Sequence, residues 1–166
     1  MQSSDPPHNM ITFRKERVKF TYRIAGIAIH DGRVLLQRAT NGSVWFVPGG
    51  RAELRETSQE SLKREMQEEL QTDITIQRLL WVVENFFEER EVLHHELGLY
   101  FLMTFPGESE LYDVSRTFIG IDANEEFTYR WLPIATLEEI SLYPSFLQQA
   151  LKAVPDVTEH IIHIDK

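Results

Sequence analysis

Residues 50 to 71, GRAELRETSQESLKREMQEELQ, constrain this chain more than any other stretch. Thr57 and Glu60 form a Ser/Thr-x-x-Glu capping box, in which each side chain satisfies a backbone N–H that would otherwise be orphaned in the first helical turn. The spacing therefore predicts a helix over 57–70. Stepping its residues by roughly 100° puts Leu62, Met66 and Leu70 on one stripe and gathers Glu65, Glu68 and Glu69 on a neighbouring one. One side is expected to pack while the other collects three carboxylates.

Like charges three and four residues apart cost an isolated helix about 0.2–0.5 kcal/mol per pair, so something should offset the repulsion. A hard divalent cation such as Mg²⁺ or Mn²⁺ would do so, because these ions take oxygen ligands and share them with water and substrate phosphates. Taken alone, Arg64-Glu65-x-x-Glu68-Glu69 reads more readily as a solvated helix face, because such strings are common on surface helices.

The residues in front of the helix separate the two readings. Gly50 stands six positions before Glu56 and Glu56 eight before Arg64, giving Gly-x5-Glu-x7-Arg-Glu-Met-x-Glu-Glu directly after Phe46-Val47-Pro48-Gly49. This resembles the Nudix box, the loop-helix-loop signature of the Nudix hydrolases. The family pattern goes on to a Gly and an aliphatic residue, where this chain has Gln71 and Thr72. The missing Gly ordinarily closes the helix in the left-handed conformation, so the departure bears on the helix end and removes no carboxylate.

The resemblance implies that the Gly50 carbonyl and the Glu65, Glu68 and Glu69 carboxylates hold Mg²⁺ or Mn²⁺, with Glu68 and Glu69 counted as catalytic. It implies that Glu56 pairs with Arg64 to fix the loop against the helix. The implied activity is metal-dependent pyrophosphate hydrolysis of a nucleoside diphosphate linked to another moiety, of the ADP-ribose or nucleotide-sugar type. Nucleoside triphosphates are the alternative substrate class, and a catalytically idle nucleotide-binding module or a ligand-free acidic scaffold are the competing functions. Members of the family draw the water-activating base from the box or from a later loop, which here brings in Glu125 and Glu126. Arg23, Arg38 and Arg51 are candidates for phosphate contact, and Trp45, Phe86 and Phe87 for stacking on a base, although aromatics in strands usually join the core.

At 166 residues, 42% apolar and 11% aromatic, the chain suits a single domain with a sizeable core. A net charge of -9 opposes broad binding to nucleic acid or anionic membrane, and the absence of cysteine excludes disulfides, zinc-thiolate sites and thiol catalysis. Met1 to Asn9 has no apolar signal core and no run of about 18 apolar residues occurs, so a soluble cytoplasmic protein is expected, with a homodimer left open.

Along the chain, residues 1–10 read as a loose arm. Arg14, Lys15, Arg17 and Lys19 read as solvated charge at a strand entry. Residues 20–30 and 33–38 flank Asp31-Gly32 as a hairpin. Asn41-Gly42 is a turn leading to a short strand over 44–47 and then to Gly49-Gly50, where the backbone can approach an ion or phosphate. Residues 74–87 and 95–105 form a second hairpin with a charged tip at 88–91. Residues 106–124 read as a long loop, with 116–121 a short extended piece, and 127–132 as a strand. A short helix is expected around 137–140, another over 145–153, and an edge strand over 157–164. Interspersed strands and helices predict an α/β/α sandwich around a mixed sheet. His94, His95, His160 and His163 lack metal-ligand spacing.

Overall fold

The computed structural model describes residues 9–165; the expected loose arm over 1–10 falls almost wholly outside them. Two sheets carry the fold. In the larger, the order is β1 (Thr12–Lys15), β2 (Val18–Ile27), β7 (Val92–Thr104), β6 (Thr75–Glu89) and β10 (Glu159–Ile164), with β5 (Gly49–Arg51) also paired to β2. β6 and β7 are antiparallel, whereas β2 runs parallel to β7 and β10 parallel to β6, so the sheet is mixed. The smaller sheet is antiparallel: β3 (Ile29–His30), β4 (Arg33–Ala39), β9 (Glu125–Pro133) and β8 (Thr117–Asp122).

Alternation along the central strands sends successive side chains into two apolar cores. Ala25, Ile27, Trp81 and Tyr100 pack with Leu137, Leu142 and Leu147 of the C-terminal segment. Their neighbours Ile24, Phe101 and Met103 pack with Leu62 and Met66 of helix α1 (Ser58–Leu70). Leu62 and Met66 are fully buried, as the stripe predicts. The layering is therefore that of an α/β Nudix-like fold, with α1 on one side and short C-terminal helical turns on the other.

Five local expectations are corrected. Residues 44–47 form isolated bridges, Trp45 to Leu142 and Phe46 to Gln37, because four residues after a tight turn cannot sustain a ladder. The helix expected over 145–153 shrinks to one turn, α2 (Leu147–Ala150), and that expected around 137–140 is a 3-10 segment over Ile134–Glu139, consistent with the weak preference of such short stretches for a regular α-helix. The supposed long loop over 106–124 contains a 3-10 turn and the whole of β8, the latter including the expected extended piece. The strand expected over 20–30 breaks at Ala28, where the chain passes from one sheet to the other.

Both expected hairpins form. Asp31 and Gly32 (φ 49° and 70°) and Arg90 and Glu91 (φ 49° and 65°) supply the left-handed pairs that two-residue hairpins require. The capping box is complete: Thr57 N donates to Glu60 Oε2 at 2.7 Å and Glu60 N to Thr57 Oγ1 at 3.2 Å. At the other end, Gln71 takes the left-handed conformation (φ 52°, ψ 40°) that glycine ordinarily supplies. Its N–H bonds Gln67 O and the N–H of Thr72 bonds Met66 O, so the termination survives the substitution with strain. Gln71→Gly should therefore stabilise the fold by about 0.5–1 kcal/mol, read as a rise in the urea midpoint with unchanged slope.

Candidate active site

The site is built where the C-terminal half of α1, the strand β5 and the β8–β9 hairpin meet. Arg64 is its hub. Its Nε donates to Glu56 Oε1 at 2.7 Å, its Nη1 to Glu65 Oε1 at 3.0 Å and to Glu68 Oε2 at 3.3 Å, and its Nη2 to the carbonyl of Arg51 at 3.2 Å. Glu53 also lies within ion-pair range at 3.6 Å. Glu56 in turn accepts from Ser61 Oγ at 2.6 Å. Burial disfavours charge on Glu56, but the hydrogen bonds from Arg64 and Ser61 outweigh it and hold its carboxyl below the usual range. Burial likewise opposes the Arg64 cation, yet Glu56 and Glu65 keep its pKa above normal. The loop is thus tied to the helix through one guanidinium.

The three clustered carboxylates do not share one environment. Glu65 and Glu69 are 6% and 5% exposed, whereas Glu68 lies near solvent and is engaged by Arg64. Burial pushes the Glu65 carboxyl up against the opposing pull of Arg64. Burial does the same to Glu69 more strongly; a hydrogen bond from Tyr129 opposes it, the charges of Glu65 and Asp122 add to it, and the group reaches about 8. Tyr129 Oη donates to Glu69 Oε2 at 2.5 Å, and burial together with this contact keeps the phenol protonated.

Neither Tyr129 nor Asp122 stood out in the sequence. Tyr129 looked like any strand aromatic, and Asp122 lay in a stretch read as loop. The available signal was the Asp122-Ala123-Asn124-Glu125 hairpin, whose central pair has positive φ (47° and 66°). Close packing makes the hairpin part of the site: a Cβ on Gly120 would lie 2.5 Å from the carbonyl oxygen of Glu69.

Gly50 lies against Glu65 in the same way, since an added Cβ would fall 2.2 Å from that carboxyl. Gly50→Ala should displace Glu65 while leaving the sheet intact, because the clashing atoms belong to the end of a side chain. The expected result is unchanged far-UV circular dichroism with turnover down by about 10²-fold or more; a fully active variant would remove Gly50 and Glu65 from the site.

The remaining candidates divide. Arg23 lines a cleft of about 530 Å³ together with Phe46, Phe87 and Tyr143. Arg51 is exposed beside Met10. Trp45 is corrected: it is 6% exposed within the core, where Arg38 lies over its ring at 4.9 Å and donates to the carbonyl of Gly42 at 3.2 Å. Arg38 thus braces the 39–42 turn. Phe86 stacks on His95 and Phe87 on His94, each at 4.5 Å between ring centroids. Glu125 and Glu126 open β9 and are held in register opposite Asp122 and Ile121, so the slack loop expected to carry them is what the structure corrects.

The residues suit a hard divalent cation. Two buried carboxylates raised in pKa by burial first and by neighbouring carboxylate charge second, with Gly50 beside one of them, form an all-oxygen donor set with surplus negative charge. Among the described residues, no three acidic or histidine side chains converge on a single point, which matches the engagement of Glu68 by Arg64.

Comparison with known proteins bears on the fold and the family. The NUDIX domain family model matches residues 21–154. Among solved structures, a MutT protein from Methanosarcina mazei Go1 aligns with a TM-score of 0.59 at 17% identity, covering 84% of this chain and 94% of that one. A UDP-X diphosphatase aligns with a TM-score of 0.59 at 16% identity, covering 85% and 66%, and the E. coli ORF135 protein with 0.54 at 21%, covering 85% and 96%. In sequence, the low-salt glycan biosynthesis protein Agl8 of Haloferax volcanii is 39% identical over 66 residues, which are 38% of this chain and 42% of that protein. The structural likenesses bear on the fold, and the family match spans most of the chain: it is a member of the Nudix hydrolase family.

Proposed function

We propose that this protein is a metal-dependent pyrophosphohydrolase that cleaves a nucleoside diphosphate linked to another moiety. The observation that carries the reading is the burial of Glu65 against Gly50 and of Glu69 beside Gly120, at a site whose Glu69 feels the charge of Arg23, a residue lining a cleft large enough for a nucleoside. Glu65, Glu68, Glu69 and the Gly50 carbonyl would hold Mg²⁺ or Mn²⁺. Such an ion neutralises charge developing on the anhydride oxygens and lowers the pKa of an attacking water. Arg64 and Glu56 keep the carboxylates placed, Tyr129 fixes one Glu69 oxygen, and Arg23 offers a guanidinium to the diphosphate. The resemblance to a protein named for glycan biosynthesis, and the fold shared with a UDP-X diphosphatase, are in keeping with a nucleotide-linked substrate.

For the base, strand alternation favours Glu125 over Glu126, because residues two apart share a face and Tyr129 points to Glu69. Glu125→Gln should lower kcat by about 10²-fold or more with a smaller change in KM, and Glu126→Gln should turn over nearly normally. Normal turnover in both variants would assign the base to the box carboxylates.

The deciding experiment is a chromatographic screen for nucleotide products over nucleotide sugars, ADP-ribose, dinucleoside polyphosphates and nucleoside triphosphates, with Mg²⁺ and with Mn²⁺. Turnover of a diphosphate-linked substrate at least tenfold above the triphosphates is expected. Preference for triphosphates would overturn the substrate class, and no turnover of any compound would overturn the enzymatic reading.

A further inference from the structure

Helix α1 covers only part of the larger sheet, the end of one face that carries Ile24 and Phe101. Towards the tip of the β6–β7 hairpin, strand alternation continues that same face as rows running straight across the sheet. The outermost row is Lys15, Val18, Leu93 and Glu88. The next is Phe13, Phe20, His95, Phe86 and Ile164, and its rings touch in order. Phe13 stacks on Phe20 at 5.2 Å between centroids, Phe20 meets His95 edge-on at 5.4 Å, and His95 stacks on Phe86 at 4.5 Å.

This end of the face is apolar and open to water. Phe13, Val18, Leu93, Ile162 and Ile164 are 42–66% exposed. At about 150–200 Å² for a fully exposed side chain of this size, those fractions leave about 500 Å² of apolar surface on one face. That lies near the top of the range of about 300–600 Å² for the largest patch on a monomer, and two such faces together reach the area of about 1,000 Å² that a specific interface needs.

Charge and register point to the occupant. Lys15 and Glu88 close opposite ends of the outer row, with Val18 and Leu93 between them. A two-fold axis laid along the strands between β2 and β7 exchanges β1 with β6 and β2 with β7. Each Lys15 then faces the partner's Glu88, each Val18 the partner's Leu93, each Phe13 the partner's Phe86 and each Phe20 the partner's His95. The face is complementary to itself, as an isologous contact requires, and sheets stack in this way about 10 Å apart. A net charge of -9 opposes an anionic lipid surface in that place.

We infer that this protein forms a two-fold dimer by laying this sheet face on the same face of a second copy, with the axis between β2 and β7. Arg23, Asn85, Phe87 and Glu96 line the cleft on the opposite face, so pairing leaves the cleft open. The inference stands on the sheet alone and does not depend on the hydrolase reading.

Sedimentation equilibrium of the full chain over about 1–200 µM spans the affinities of an interface this small. A monomer–dimer equilibrium is expected within that range. Phe13→Glu and Leu93→Glu, both at exposed positions, should each raise the dissociation constant at least about tenfold with far-UV circular dichroism unchanged. Glu88→Lys sets like charges against each other at both ends of the interface and should weaken it about tenfold, and adding Lys15→Glu should recover most of the loss. Arg17 lies 3.6 Å from Glu88 in its own chain, in an exposed pair. It is present in both variants, so the recovery reports on Lys15. A monomer at every concentration, a dimer indifferent to Phe13→Glu and Leu93→Glu, or no recovery in the double variant would overturn the inference. A monomer that becomes dimeric once residues 1–8 are removed would give the face to the start of the chain itself and would overturn it too.

Discussion

Glu69→Gln should cut kcat by about 10²–10⁴-fold and, in the metal-free protein, make the fold more stable. The two effects have one origin. Burial and the charges of Glu65 and Asp122 raise the Glu69 carboxyl to about 8. A carboxyl raised in the folded state binds more protons there than in the unfolded chain between its ordinary pKa and 8, so stability falls as pH rises through that window. The neutral amide removes the titration and can still accept from Tyr129. Near pH 8 without metal, the variant should be about 1–3 kcal/mol more stable, which for a chain of this length is a Tm rise of about 2–10 °C. Glu65 stays buried, so the pH slope should shrink without vanishing. Glu68→Gln should also lose turnover, but with little change in metal-free Tm, because Glu68 lies nearer solvent. Scanning calorimetry with chelator at pH 5 and pH 8, beside steady-state kinetics, checks this. Unchanged turnover in both variants would reduce the stripe to a solvated face, and a lower Tm for Glu69→Gln at pH 8 would contradict the repulsion account.

Arg64→Ala should be among the most damaging single changes to stability. It strands Glu56 and Glu65, which accept at 2.7 and 3.0 Å, releases Glu68, and leaves the Arg51 carbonyl without its side-chain donor. Breaking a largely buried charge network from one side costs about 3–5 kcal/mol. Partial exposure of the Arg64 side chain lowers this to about 2–4 kcal/mol, a Tm loss of about 4–16 °C. Arg64→Lys should recover only part of it, because a single ammonium cannot serve the Glu56 carboxylate, Glu65 and a carbonyl in the divergent directions that the guanidinium fork reaches. Equal Tm values for Arg64→Lys and the unaltered protein would show that charge alone matters here. Added Mg²⁺ or Mn²⁺ should stabilise Arg64→Ala more than the unaltered protein, since the freed carboxylates carry more uncompensated charge.

Much of this was legible from local chemistry. Thr57 and Glu60 announced the start of α1, and the 3.6-residue period announced which side Leu62 and Met66 would bury, because both depend only on neighbours within one turn. Asp31-Gly32 marked one hairpin for the same reason, and the charged tip at 88–91 between two apolar runs marked the other. The end of α1 was less transparent: Gln71 adopts a glycine conformation since the Gln67 and Met66 carbonyls need donors more than the backbone resists. Short segments misled wherever pairing overrode propensity, as when residues 44–47 were reduced to bridges and Glu125 and Glu126 were drawn into β9.

By itself, the sequence placed Glu65, Glu68 and Glu69 on one helix stripe and, through its resemblance to the Nudix box, set Gly50, Glu56 and Arg64 beside them. Only the tertiary structure decided what each carboxylate experiences. The periodicity that grouped Glu65, Glu68 and Glu69 as equals carried no information about the β8–β9 hairpin, which buries Glu69 under Gly120 and Tyr129 and brings Asp122 close enough to raise its pKa. The same holds for the cleft. Arg23 is far along the chain from the β6–β7 hairpin that carries Asn85 and Glu96, and it joins them because β2 lies beside β7, an arrangement set by burial of two apolar faces and not by any pattern within the strands.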